Sequence, residues 1–188
     1  MVDYLDYVKI TDIDTLLKRV KKIESMVRNS WEYKCWVASI HEDLCIHNCD
    51  YFKNWNDDDI DMEVHHIITL FDIVIAVGAE MISELENDEY LLSFQIANQV
   101  IEEHLCNNIP CILVSKTIHQ AIHSNLYQPS PDSKSINLGN YLDFVKKYKG
   151  TLDMISMQTL AKYLPEDKIP ELEEAYGEKI TIAENRSI

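Results

Sequence analysis

With 188 residues, 46% of them hydrophobic, the chain is long enough to bury a core and has the size of one domain, residues 1–188. It holds no apolar run of about 18 residues, so no membrane partner is expected, and Met1-Val2-Asp3-Tyr4 lacks the basic start of a leader; a soluble, cytoplasmic protein is the expectation. The net charge of -15 argues against a generic nucleic-acid binder, whose affinity comes largely from Lys and Arg neutralising phosphates.

The charge is uneven. Asn54 to Ser115 holds thirteen Asp and Glu and no Lys or Arg, while seven bases lie between Lys9 and Lys34. Five cysteines, Cys35, Cys45, Cys49, Cys106 and Cys111, are an odd set with no disulfide framework, which fits a reducing compartment. Cys45 and Cys49 frame Ile46-His47-Asn48, too wide for the usual zinc knuckle and without a second cysteine pair, so both read as ordinary thiols.

In chain order, Thr11-Asp12-Ile13-Asp14 reads as a helix start, and Leu16, Leu17, Val20, Ile23 and Val27 continue at helical spacing. Lys18, Arg19, Lys21 and Lys22 fall on its solvated face. Trp31, Cys35, Trp36 and Ile40 predict a short second helix. Between Leu44 and Ile67 the pattern becomes a hairpin, its second strand Ile60-Asp61-Met62-Glu63-Val64 ending on His65 and His66. Asp57-Asp58-Asp59 lacks the spaced ligands and glycine of a calcium loop and reads as a solvated turn. Thr69 caps a helix with Leu70, Ile73, Val74, Val77 and Met81 on one face. Another helix runs from about Leu91 to Cys106, with Phe94, Val100, Ile101 and Leu105 as core candidates. Cys111-Ile112-Leu113-Val114 is a short buried strand, after which Ser115 caps a helix carrying His119 and His123. Gln128 to Ser135 is a loop, and Leu142, Phe144, Val145, Leu160, Tyr163, Leu172 and Tyr176 mark a helical tail.

His119 and His123, at i and i+4, share one helix face with Cβ atoms about 5–6 Å apart, so two neutral imidazoles can share a divalent ion. A third ligand must come from another element, and the strand-end doublet supplies it. His41, His47 and His104 stand alone and read as ordinary core or surface histidines.

The order of a His-His strand, an intervening loop, an apolar strand and a His-x-x-x-His helix resembles the HNH (ββα-metal) endonuclease motif. It is also similar to small tailed-phage proteins with comparable stretches, here His65-His66-Ile67-Ile68-Thr69-Leu70-Phe71-Asp72-Ile73 and Val114-Ser115-Lys116-Thr117-Ile118-His119. The resemblance covers roughly residues 30 to 150. It implies that His65, His119 and His123 are metal ligands for one divalent ion (Mg, Mn or Zn) and that His66 is the general base of phosphodiester hydrolysis. No further cofactor is implied. The asparagine that orients the base in HNH sites aligns with Pro110, which leaves Asn108 as the nearest candidate. Neighbours on a regular strand point to opposite faces, so both members of the doublet reach one site only if the strand bends there.

The resulting expectation is an α+β, mainly helical fold. An N-terminal helical pair occupies residues 1–42. A small HNH-like ββα-metal core spans 43–126 with a helical insertion at 69–106, and a C-terminal helical tail spans 136–188. The expected function is a phage HNH endonuclease acting in the host cytoplasm, with DNA approaching over Lys116 and the N-terminal helix. The alternative is a non-catalytic phage protein on an HNH-like scaffold, its acidic surface binding a host or phage protein partner as an inhibitor or nucleic-acid mimic.

Overall fold

Within the expected start, Asp12 caps the first helix: its carboxylate accepts the Thr15 backbone N–H at 2.8 Å, and α1 runs Ile13–Leu17. The computed structural model describes residues 7–44 and 61–181. The single N-terminal helix expected from the sequence is interrupted at Lys18 and Arg19 and resumes as α2, Val20–Asn29. Leu16, Val20, Ile23 and Val27 are buried as expected, whereas Leu17, at the end of α1, is 48% exposed. Ser30 caps α3, Trp31–Asp43, by accepting the Tyr33 N–H at 3.1 Å, and this second helix is longer than its apolar positions suggest.

The strand β1 covers Met62–His66. Thr69 caps α4, Leu70–Ser83, followed by α5, Ser93–Leu105. The strand β2, Cys111–Ser115, is buried along its whole length and leads directly into α6, Lys116–His123, capped by the Ser115 hydroxyl. Then come β3, Ile136–Asn137, and the helices α7, Tyr141–Tyr148, α8, Met154–Ala161, and α9, Ile169–Tyr176. The result is a mainly helical α+β fold with a small antiparallel sheet in the order β1-β2-β3.

The expected first strand of the hairpin, the Cys45 to Cys49 frame with His47, and the Asp57-Asp58-Asp59 turn lie outside the described residues. The partner that β1 has among the described residues is β2, which returns from beyond α4 and α5 with Met62 opposite Ser115 and His66 opposite Cys111. The two-residue β3 pairs with Cys111 and Ile112 and is too short to leave a period in the sequence.

Helices α2, α4 and α5 pack together, α1 lies on α4, and α7 joins α4 to α9. Gly78 sits where α1 meets α4: a Cβ there would stand 2.8 Å from the Leu16 methyl carbons, so only glycine permits this approach without displacement. On α5 the inward arc is Ile96, Ala97, Val100, Ile101 and His104. Phe94 and Leu105, expected in the core, fall outside that arc and are 43% and 55% exposed.

Three polar residues, Ser93, Glu103 and His104, are nevertheless buried on α5. Glu103 Oε1 accepts from Lys147 Nζ and the Tyr148 hydroxyl, both at 2.7 Å, and from Gln99 Nε2 at 3.2 Å, while Oε2 accepts from Asn108 Nδ2 at 2.7 Å. Burial alone would raise its pKa, but hydrogen bonds from Lys147, Asn108 and Tyr148 outweigh it and hold the carboxyl below its usual value. The carboxylate thereby ties α5 to α7.

His104 is fully buried, with Nδ1 2.6 Å from the Val100 carbonyl and Nε2 3.0 Å from His66 Nε2. A carbonyl only accepts, so Nδ1 of His104 carries the proton. In the neutral pair His66 Nε2–H then donates to His104 Nε2. Tyr33 and Trp36 pack around both rings, with centroids 4.7 to 6.2 Å away. Burial lowers the His104 pKa from 6.5 to about 4 and drives that of His66 well down, with the neighbouring imidazole adding to the latter.

Glu103→Ala removes the acceptor shared by four donors and is expected to cost about 2 to 3 kcal/mol in urea unfolding, discounted for the half-exposed Lys147. The depressed His104 pKa makes the unfolded chain bind more protons than the folded one between 6.5 and about 4. Its contribution to stability is therefore complete above pH 6.5 and lost as the pH falls toward 4. The urea midpoint should decline through that window, and the His104 imidazole signals in NMR should show no inflection above it.

Candidate metal centre

The side-chain alternation of β1 decides which residues meet. Glu63 and His65 project from one face, toward α6, whereas His66 projects from the other, toward α3 and α5. The ladder with β2 continues through His66, and the Ile67 N–H bonds the Pro110 carbonyl at 3.1 Å. The strand therefore does not bend at the doublet, and the two histidines serve different environments.

On the α6 face, Nδ1 or Nε2 atoms of His65, His119 and His123 all lie within 4.8 Å of one another. The ring centroids form a nearly equilateral triangle, with 4.9 Å between His65 and His119, 5.0 Å between His65 and His123, and 4.7 Å between His119 and His123. Nε2 of His119 and Nε2 of His123 are 2.9 Å apart. Two nitrogens bound to one ion at about 2.0–2.1 Å stand about 2.9 Å apart at a right angle and about 3.3 Å apart at the tetrahedral angle, so this pair is spaced to share an ion. His65 and His119 are partly buried and His123 is exposed, which opens the triangle to solvent on the His123 side. Burial and the charges of His119 and His123 lower the His65 pKa to about 4, keeping its imidazole neutral, the form that binds metals.

Glu63 completes the arrangement. Its Oε2 accepts a hydrogen bond from His119 Nδ1, which leaves His119 Nε2 directed at His123. Sequence reasoning passed over this residue, although its position two residues before His65 places it on the same strand face.

The remaining expected site residues are not part of the triangle. His66 is buried against His104, Tyr33 and Trp36, and Asn108 donates to Glu103. His104, read as an isolated histidine, is the partner of His66.

A second surface feature lies on the helical side. A groove of about 660 Å³ is floored by Met26, Ala97 and Ile101 and rimmed by Trp31, Phe94 and Leu105. Trp31 is 75% exposed. No helix among the described residues is long and apolar enough to cross a membrane.

The family model described as bacteriophage G278-like virion protein matches residues 3–185. No curated protein and no solved structure matches the chain. The family match corrects the HNH resemblance: phage origin stands, but the chain falls in a family of particle components. Both readings built on that resemblance, the DNA endonuclease and the inhibitor or nucleic-acid mimic on an HNH-like scaffold, are set aside with it, and nuclease, hydrolase and DNA find no support. The similarity rested on the two histidine-bearing stretches, and the placement of imidazoles on a strand and a helix does not by itself specify phosphodiester chemistry. From its match over almost the whole sequence, the chain belongs to the bacteriophage G278-like virion protein family.

Proposed function

We propose that this virion protein serves the particle as a structural subunit in which His65, His119 and His123 hold one divalent metal ion that fastens α6 to the sheet. The observation that carries this reading is the gathering of three imidazole nitrogens from two elements within 4.8 Å of one another. Helix α6 is short and has no fully buried residue; Ile118 and Ile122 pack on the core only in part, so its anchorage by apolar burial is limited. A metal bridging β1 and α6 would add to that partial packing. The ion would act as a cross-link formed only in the folded chain, and its binding free energy would add to folding stability.

A structural subunit has neighbours in the particle, and we assign that contact to the groove between α2, α3 and α5. Trp is the residue type most enriched at binding hot spots, and the exposed Trp31, with the aromatic Phe94 beside it, stands over a groove floor that is already part of the core. The partner is another virion protein presenting an apolar segment.

Purified protein should carry one equivalent of metal per chain by elemental analysis. A free ion at a hundred times its Kd should stabilise the fold by about 2.7 kcal/mol, an increment that EDTA reverses and His119→Ala abolishes. Absence of metal uptake by the stripped protein would sink the reading. Trp31→Glu should leave the urea midpoint nearly unchanged while reducing incorporation into assembled particles by tenfold or more (about 1.4 kcal/mol of lost contact energy). Incorporation equal to wild type would remove the groove from the interface.

A further inference from the structure

The metal-holding triangle contains only nitrogen donors. Among the described residues, no carboxylate converges with the three imidazoles, and the nearby carboxylate, Glu63, is engaged with His119 Nδ1 instead. Imidazole suits zinc, copper, nickel and cobalt, whereas magnesium, calcium and manganese favour carboxylate, carbonyl and water oxygens. The donor chemistry therefore separates ions that ligand spacing alone leaves equivalent.

Glu63 adds a second constraint. A histidine offers a metal either Nδ1 or Nε2, and the nitrogen that keeps the proton is set by its other partner. Glu63 Oε2 can only accept, so it holds the proton on His119 Nδ1 and leaves the Nε2 lone pair facing His123 Nε2, 2.9 Å away. The carboxylate also fixes the ring's orientation and makes the imidazole a stronger donor. Glu63 and His65 lie on the same face of β1, opposite Val114 and Ile112, so one short strand provides both a ligand and the group that aims another.

We infer that the site selects a borderline transition-metal ion of the zinc class over magnesium, calcium and manganese, and that Glu63 is its positioning residue, acting through His119. This inference rests on the metal reading above.

The test uses the full chain, stripped of metal, titrated calorimetrically with zinc, cobalt, magnesium and manganese. The wild type, Glu63→Gln and Glu63→Ala are compared, with the His119 tautomer read by long-range nitrogen NMR. Wild type should bind zinc and cobalt at least a hundredfold more tightly than magnesium or manganese. Glu63→Ala should weaken zinc binding by about 10- to 100-fold and change the visible spectrum of the cobalt form. In the metal-free protein, His119 should hold its proton on Nδ1 in wild type and lose that preference in Glu63→Ala. Glu63→Gln keeps an oxygen acceptor and should recover part of the loss. Glu63 is half-exposed, so unchanged urea midpoints in the stripped variants establish that the fold is intact.

Preference of the wild type for magnesium or manganese overturns the selectivity. Equal zinc affinity and an unchanged His119 tautomer in Glu63→Ala overturn the positioning role while the metal reading stands. A wild type that binds none of the four ions overturns the metal reading, the selectivity and the positioning role of Glu63 together.

Discussion

The two-residue period of one five-residue strand governs the chemistry of this protein. Because successive side chains of β1 leave opposite faces, the adjacent His65 and His66 enter environments with nothing in common. One joins a partly solvated cluster with α6. The other is sealed between α3 and α5, where an aromatic enclosure and a second imidazole keep it neutral. A bulge at this point would have merged the two, and the unbroken pairing with β2 through His66 prevents that.

Most elements with a strong apolar period were legible before the structure was known. Helix α4, with its Thr69 cap, is an example, since its buried residues recur at helical spacing and its cap chemistry is local. The strand β2 and the Ser115 cap of α6 were legible for the same reason. What escaped was set by tertiary contacts. The interruption at Lys18 and Arg19 lies within a continuous apolar pattern, so periodicity ran across it. Phe94 and Leu105 were assigned to the core because they are large and apolar, yet the arc that α5 turns inward excludes them.

The candidate site divides in the same way. His65, His119 and His123 could be grouped from ligand type and helical spacing, and these three do converge. His66 was grouped with them by adjacency in sequence, which strand geometry separates. The His66 to His104 contact joins β1 to α5 across the length of α4, and no local spacing encodes it. Glu63 carried a readable signal, the i to i+2 relation with His65, that goes unnoticed when a motif is sought only in its histidines.

The pairing of β1 with β2 has a consequence for the order of assembly. The strands are separated in sequence by the entire α4 and α5 segment, so their ladder closes a long loop, and such contacts are costly until the intervening helices have folded. His119 and His123 can approach each other as soon as α6 forms, since they are one turn apart. His65 reaches them only once the ladder is made. The two-histidine part of the triangle is therefore a local feature of α6, whereas the complete triangle depends on a long-range ladder and so on the helical core that the ladder encloses.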